Sequence, residues 1–391
     1  MIKVKNRKLL LLPGDGIGPE VIGEVKKIRK LNKPYLVVQT FCEKGEDMDA
    51  KKQVLKKEFP YANDFNIENE TIIIWRVWAY CWCIYKESNN FWLSDNALWL
   101  VNNNKSNINY LFYLLIYKDL NKQSIWWAQP LLTQWLLKKL QLPLPPLPQQ
   151  KSIAEILSSL DDKIELLEKQ NKTLENIGQA IFKSWFVDFE GFDNDLVESE
   201  MEMIPRGWKV ESAENIVNFI RWVEPWSKNY LGSRIKDSLA FIRVWDLLWN
   251  QITNFVLKDI LKNKICNKNN ILISFDWTVW RVAFRLEWWY STWIRKIESE
   301  LLNNWFLYFL FNSEWMQNII LKYAKWTTIL HAWESIKYMN IIVPDKNNLN
   351  KINKKFDNLF SKMLNNKTQI QTLSNLRDSL LPRLMNGKVK V

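Results

Sequence analysis

The sequence predicts an α+β protein in which two mixed sheet-and-helix domains alternate with two long helices that pair as an antiparallel coiled coil. Three observations carry this prediction. From Ile153, the residues Leu157, Leu160, Ile164, Leu167, Leu174, Ile181 and Trp185 recur at alternating steps of four and three, with Asn171 and Gly178 in the remaining seam positions. That spacing is a heptad seam. Moving 199 positions on lands on Ile352, Phe356, Leu359, Met363, Asn366, Ile370, Leu373, Arg377 and Leu380, seven of them apolar, and carries Leu144-Pro145 onto Val343-Pro344. The chain therefore holds a degenerate copy of its own middle. Finally, Trp75-x-Val-Trp78 recurs as Trp277-x-Val-Trp280, 202 positions on, each after a β-rich run, Ile72 to Ile74 and Ile271 to Ser274.

In chain order, the apolar run Leu9 to Leu12 reads as a buried strand, Gly14, Gly16 and Gly18 allow a tight turn, and Pro19 begins a helix. GDGIGP lacks the third glycine of a dinucleotide fingerprint. The first mixed domain becomes legible at Thr71, with a strand at Ile72 to Ile74 and an apolar helix at Asn107 to Tyr117. Gln123 to Leu140 leads into the proline-rich hinge at Leu142. The helix that follows runs on the order of 50 Å at about 1.5 Å per residue, which demands a partner of similar length. The C-terminal copy supplies it. Each copy carries one seam asparagine, Asn171 and Asn366, in different heptads, which fixes the register of the pair. The second mixed domain enters at Ile204-Pro-Arg-Gly-Trp208-Lys. The expected boundaries are 1–45, 46–141 (truncated), 142–203 (hinge and helix), 204–345 and 346–391 (C-terminal helix).

Lys and Arg number 54 against 42 Asp and Glu, a net charge of +12, which favours an anionic partner through counterion release. No run of about 18 apolar residues occurs and the N-terminus has no signal-peptide pattern, so a cytoplasmic location is expected. Cys42, Cys81, Cys83 and Cys266 have neither zinc nor disulfide spacing, and with one histidine no metal site is expected. No catalytic constellation is found. His331 lacks a recognisable paired nucleophile or orienting acid, and Asp161, Asp162 and Glu165 read as a solvated helix face.

The run PPLPQQKSIAEILSSLDDKIELLEKQNKTLENIGQAIFKSWFVDFE, from Pro145 to Glu190, resembles the central region of the DNA-specificity subunits of type I restriction-modification systems. LSNLRDSLLPRLMNGKVKV, from Leu373 to Val391, resembles their C-terminal region. The resemblance covers roughly residues 65 to 391. It implies two target-recognition domains, each reading half of a split sequence in double-stranded DNA, and paired helices acting as a spacer. It implies a non-catalytic, cofactor-free subunit of a host-defence endonuclease complex. Modification (DNA methyltransferase) subunits would use S-adenosylmethionine on adenine, a restriction and translocase subunit would use ATP and Mg, and no membrane is involved. Candidate DNA contacts are Arg76, Lys86, Asn89 and Asn90 in the first domain, and Lys228, Arg234, Arg281, Arg285 and Arg295 in the second.

The stretch KLLLLPGDGIGPEV, Lys8 to Val21, resembles the first strand and turn of isopropylmalate and isocitrate dehydrogenases, which are decarboxylating, metal- and nicotinamide-dependent. The likeness fades near residue 40, and nothing downstream supplies their arginine cluster, lysine-tyrosine pair or metal-binding aspartates. Two readings from other classes stay open: a decarboxylating 3-hydroxyacid dehydrogenase fragment, and a coiled-coil interaction protein without DNA binding.

The composition holds 23 Trp and only 10 Gly, where a protein of this length carries roughly 27 Gly at about 7%. Many of the tryptophans stand in turn-like contexts that suit glycine. With Trp92, Trp185 and Trp208 kept, replacing the other 20 brings glycine to 30, which predicts a gene that reads UGA as glycine. Intact mass and peptide mapping of the protein from its native host are expected to show about twenty Trp-to-Gly differences. A mass matching the written sequence overturns this.

Overall fold

The computed structural model describes residues 36–38, 70–75, 83–88, 91–93, 97–100, 106–120, 125–126, 130–192, 195–221, 225–232, 235–244, 247, 254–261, 266–267, 269–276, 281–284, 289–326 and 330–389. The chain divides into two compact units, residues 1–158 with 380–391, and residues 159–379.

In the first unit, Thr71–Trp75 (β1) is buried along its whole length, as a β-branched and aromatic run must be to occupy a sheet centre. It pairs antiparallel with Ile84–Glu87 (β2), Ile73 opposite Tyr85, and with Ala97–Trp99 (β3), Ile74 opposite Leu98. Ile108–Lys118 (α1) starts where the Asn107 side chain accepts a hydrogen bond from the Tyr110 N–H, and stops where Asp119 turns left-handed at φ 49°. One side of α1 sends Leu111 and Leu115 into a cluster with Ile72 and Ile74. The other side packs Tyr110, Tyr113 and Leu114 against Ile153, Ala154 and Leu157 and against Leu384 and Met385. Buried Gln150 locks the proline hinge to this helix. Its carbonyl accepts from the Asn107 N–H at 2.9 Å and its amide donates to the Pro145 carbonyl at 2.8 Å. Leu147–Phe186 (α2) follows.

The second unit repeats the plan. Lys209–Ser212 (β4) is followed by Asn218–Arg221 (β5), Ser238–Ile242 (β6), Phe255–Leu257 (β7), Ile271–Ser274 (β8), Val282–Phe284 (β9), Trp289–Tyr290 (β10) and Ile294–Glu298 (β11). A four-stranded antiparallel sheet has the order β5-β11-β8-β9, and a three-stranded sheet the order β7-β6-β10. The fully buried strand β8 sits between β9 and β11 as β1 sits between β2 and β3. Helices Asn304–Asn312 (α3) and Glu314–Lys322 (α4) follow, then Asn340–Val343 (β12), which pairs antiparallel with β4, and Lys346–Met385 (α5).

Both long helices have 40 residues, and the 199-position offset read from the sequence separates both their first and their last residues. Within the second unit they run antiparallel. Asp161 accepts from the Arg377 guanidinium at 2.7 Å, the Asn366 amide donates to the Asn171 carbonyl at 3.0 Å, and the Trp185 and Phe356 rings meet edge to face. Asp161, expected on a solvated face, is instead half-buried in a cross-helix ion pair. The two carboxylates of Asp161 and Asp378 hold Arg377 charged against the desolvation that opposes it, and its pKa is raised. The seam residues Ile153, Leu157, Ile164, Leu167, Ile352, Phe356 and Met363 are buried, and Leu160, Leu174, Ile181, Leu359, Ile370, Leu373 and Leu380 are half-buried.

The largest core lies where α2, α3 and α5 meet around Phe182, Phe186, Trp305, Phe306, Phe309 and Phe356. Trp305 stacks on Phe356 with ring centroids 4.3 Å apart. None of the described tryptophans has a positive φ; the non-glycine residues that do are Asp119, Phe189 and Asp237. Positive φ therefore gives no reason for glycine at those tryptophans, while Trp78, Trp127, Trp277, Trp280 and Trp288 lie outside the described residues.

Gly178 lets α3 approach, since a Cβ built on it would lie 2.2 Å from the tip of the buried Phe309 ring. The Gly178→Ala change is expected to lose about 1–3 kcal/mol by overpacking, more than the ~1 kcal/mol of helix propensity it gains. A urea midpoint equal to or above the wild type would contradict this. Asp345 caps α5, accepting from the Asn347 and Asn348 N–H groups at 2.9 and 3.1 Å. Desolvation opposes its ionisation, yet these bonds and the Asn348 amide prevail and lower its pKa. A depressed carboxylate stabilises the fold above its unfolded pKa of about 3.9 and loses that contribution as pH falls through the folded value. Asp345→Ala should therefore cost about 1 kcal/mol at neutral pH, with the gap to wild type narrowing below about pH 4 in acid titrations of the melting temperature.

Candidate nucleic-acid interface

Ser274, Asp276, Arg295 and His331 lie at one end of the four-stranded sheet of the second unit. Strand pairing sets Ile273 and Arg221 on either side of Arg295, and Ser274 opposite Ile294. Beyond Ser274 the chain runs through Phe275 to Asp276. There Leu330-His331 joins it, with the Ala332 N–H donating to the Phe275 carbonyl at 2.8 Å. Asp276 and His331 form a β-bridge, and Asp276 Oδ1 lies 2.6 Å from His331 Nδ1. The carboxylate is nearly enclosed, at 8% side-chain exposure, while the imidazole is 38% exposed. The pair is anchored inside and opens outward.

Arg295, expected on the DNA-facing surface, is only 5% exposed. Its guanidinium donates to the carbonyls of Thr292 and Ile294 and lies over the Trp333 ring. Its Nε is buried without a hydrogen-bond partner. Burial lowers its pKa, the Asp276 charge opposes that shift and the nearby Arg221 adds to it. Arg295 therefore braces the sheet end from inside, and exposed Arg221 presents the charge at the surface.

Lys228 is exposed on the short 3-10 turn Ser227–Asn229. Arg281 is half-buried, its backbone N–H donating to Ser274 Oγ at 3.2 Å. In the first unit the Lys86 ammonium bonds Asn109 Oδ1 at 2.6 Å and faces Glu70 at 3.4 Å, so two groups of its own unit already hold it. Arg76, Asn89, Asn90, Arg234 and Arg285 lie outside the described residues. Sequence reasoning missed Asp276 and Arg221. Asp276 follows a strand it had recognised, but its partner His331 lies 55 positions away, and a single sequence carries no signal for that contact. Among the described residues no group of three or more His, Cys, Asp or Glu could hold a metal ion, and no helix is long and apolar enough to cross a membrane.

Residues 22–176 match the family described as type I restriction modification DNA specificity domain, a match that begins well before residue 65 and directly after the Lys8–Val21 stretch likened to dehydrogenases. The chain is 30% identical over 308 residues to the type I restriction enzyme MjaIX specificity subunit of Methanocaldococcus jannaschii, covering 72% of this chain and 69% of that protein. A stretch of 28 residues is 82% identical to 3-isopropylmalate dehydrogenase of Pelagibacter ubique, but this is 7% of the chain and 8% of that enzyme. Among solved structures, the S subunit of a type I restriction-modification system from M. genitalium superposes with a TM-score of 0.48 at 14% identity, over 91% of this chain and 89% of that one. With the identity and coverage shared with the M. jannaschii subunit, the chain belongs to the DNA-specificity subunits of type I restriction-modification systems.

Proposed function

We propose that this specificity subunit reads a bipartite duplex target, one half-site through each recognition domain, and directs adenine methylation or cleavage carried out by partner subunits. The duplication supports this reading best. A buried central strand between two antiparallel neighbours, then a helix, then a 40-residue helix occurs twice, and a repeated reader suits two half-sites at a fixed separation. The net charge of +12 suits a phosphate backbone, with Lys and Arg positioning the chain and a few polar groups reading base edges. The recognition domains span 46–141 and 204–345, and the helical regions 142–203 and 346–391.

In this reading the subunit itself is non-catalytic and holds no cofactor. Modification subunits bring S-adenosylmethionine, a restriction subunit brings ATP and Mg, and the assembly works on DNA in the cytoplasm. The paired helices set the distance between half-sites. Asp161 opposite Arg377 identifies the facing heptads, so deleting Leu160–Leu166 together with Thr372–Asp378 preserves the Asn171–Asn366 register. The helices then shorten by about 10 Å, or roughly three base pairs of duplex. Methylation mapping should show a target with a shorter gap and unchanged half-sites; altered half-site bases with an unchanged gap would sink the spacer role.

A further inference from the structure

We propose that His331 is a specificity-determining residue of the second recognition domain, its ring fixed by Asp276 so that Nε2 meets one base edge in the major groove. The inference rests on the reading of this unit as a DNA-recognition domain. Asp276 Oδ1, 2.6 Å from Nδ1, accepts a hydrogen bond from Nδ1–H in this arrangement, which sets both the tautomer and the plane of the ring. The other nitrogen is then free to face outward on a ring that is 38% exposed. A neutral ring accepts there from adenine N6 or cytosine N4; a protonated ring donates to purine N7 or guanine O6. All lie in the major groove, where adenine N6, cytosine N4 and guanine O6 single out a base and purine N7 separates purines from pyrimidines.

The surroundings are built for a fixed ring rather than a loose surface contact. Asp276 is nearly enclosed, and the β-bridge to His331 and the Ala332-to-Phe275 bond hold the backbones on both sides. Buried Arg295 supplies positive charge toward Asp276, and its Nε is buried without a hydrogen-bond partner. Exposed Arg221, opposite Arg295 across the strands, is the cation this arrangement assigns to a flanking phosphate. His331 is the reader in this arrangement, Asp276 the positioning residue and Arg221 the backbone contact. The hydrogen bond and β-bridge of Asp276 with His331 are made without an indole, while the Trp293 ring lies beside the imidazole with centroids 6.5 Å apart.

The full-length chain, assembled with its modification subunits, is challenged with a randomised duplex pool and the selected bases are sequenced. In His331→Ala and His331→Gln, discrimination should fall about tenfold at a single position of the second-domain half-site, with the other half-site and the salt slope unchanged. Asp276→Ala should relax the same position and no other. Asp276→Asn, whose carbonyl still accepts from Nδ1–H, should retain most of the discrimination. Arg221→Ala should instead weaken all sequences evenly and reduce the salt slope by about one. The proposal fails if both His331 variants, with thermal midpoints near wild type, keep every base preference or lose affinity uniformly across sequences. Selection of no sequence by the wild-type assembly would overturn the DNA-recognition reading itself, which separates the two failures.

Discussion

The antiparallel packing of the two long helices is the constraint on which the rest depends. Neither unit closes its core with local sequence alone. The first needs Leu384 and Met385 against Tyr110 and Leu157, and the second needs Phe356 and Met363 against the aromatic residues of α2 and α3. Residues about 200 positions apart must therefore meet before either sheet has a complete helical cover, and such non-local pairing is slow to form because loop closure precedes its reward. The polar groups inside the seam reinforce register rather than area. Asn171 both donates to the Met363 carbonyl and accepts from Asn366, and a slipped register would strand these amides in an apolar interface.

Much of this was legible in the sequence because helix periodicity is local. The heptad spacing and the 199-position offset placed both helices, and the β-rich runs marked β1 and β8, because an apolar strand buried on both faces reads as a continuous run. The candidate interface was far less legible. Charge singles out Arg295, but burial depends on strand pairing with Ile273 and Arg221, which no spacing rule encodes. The same holds for Asp161, whose partner Arg377 is brought close only by the fold.

The tryptophans divide by environment. Trp305 is enclosed and stacked in the core although its indole N–H has no partner there, whereas Trp99, Trp135 and Trp226 are largely exposed. An exposed indole contributes little to a fold, while a buried one that finds no acceptor fills volume and forfeits a hydrogen bond. Glycine at the exposed sites would leave the core intact; glycine at Trp305 would open a void against Phe356.

The seam asparagines have one more consequence. Under the 199-position repeat, Asn171 corresponds to Ile370 and Asn366 to Leu167, so the polar cross-bond has an apolar mate in the duplicated heptads. The molecule is a repeat without being a palindrome. The polar bond occurs at one level of the seam, and its mate under the repeat, Leu167 with Ile370, is apolar, so the two ends of the paired helices are not interchangeable inside the seam.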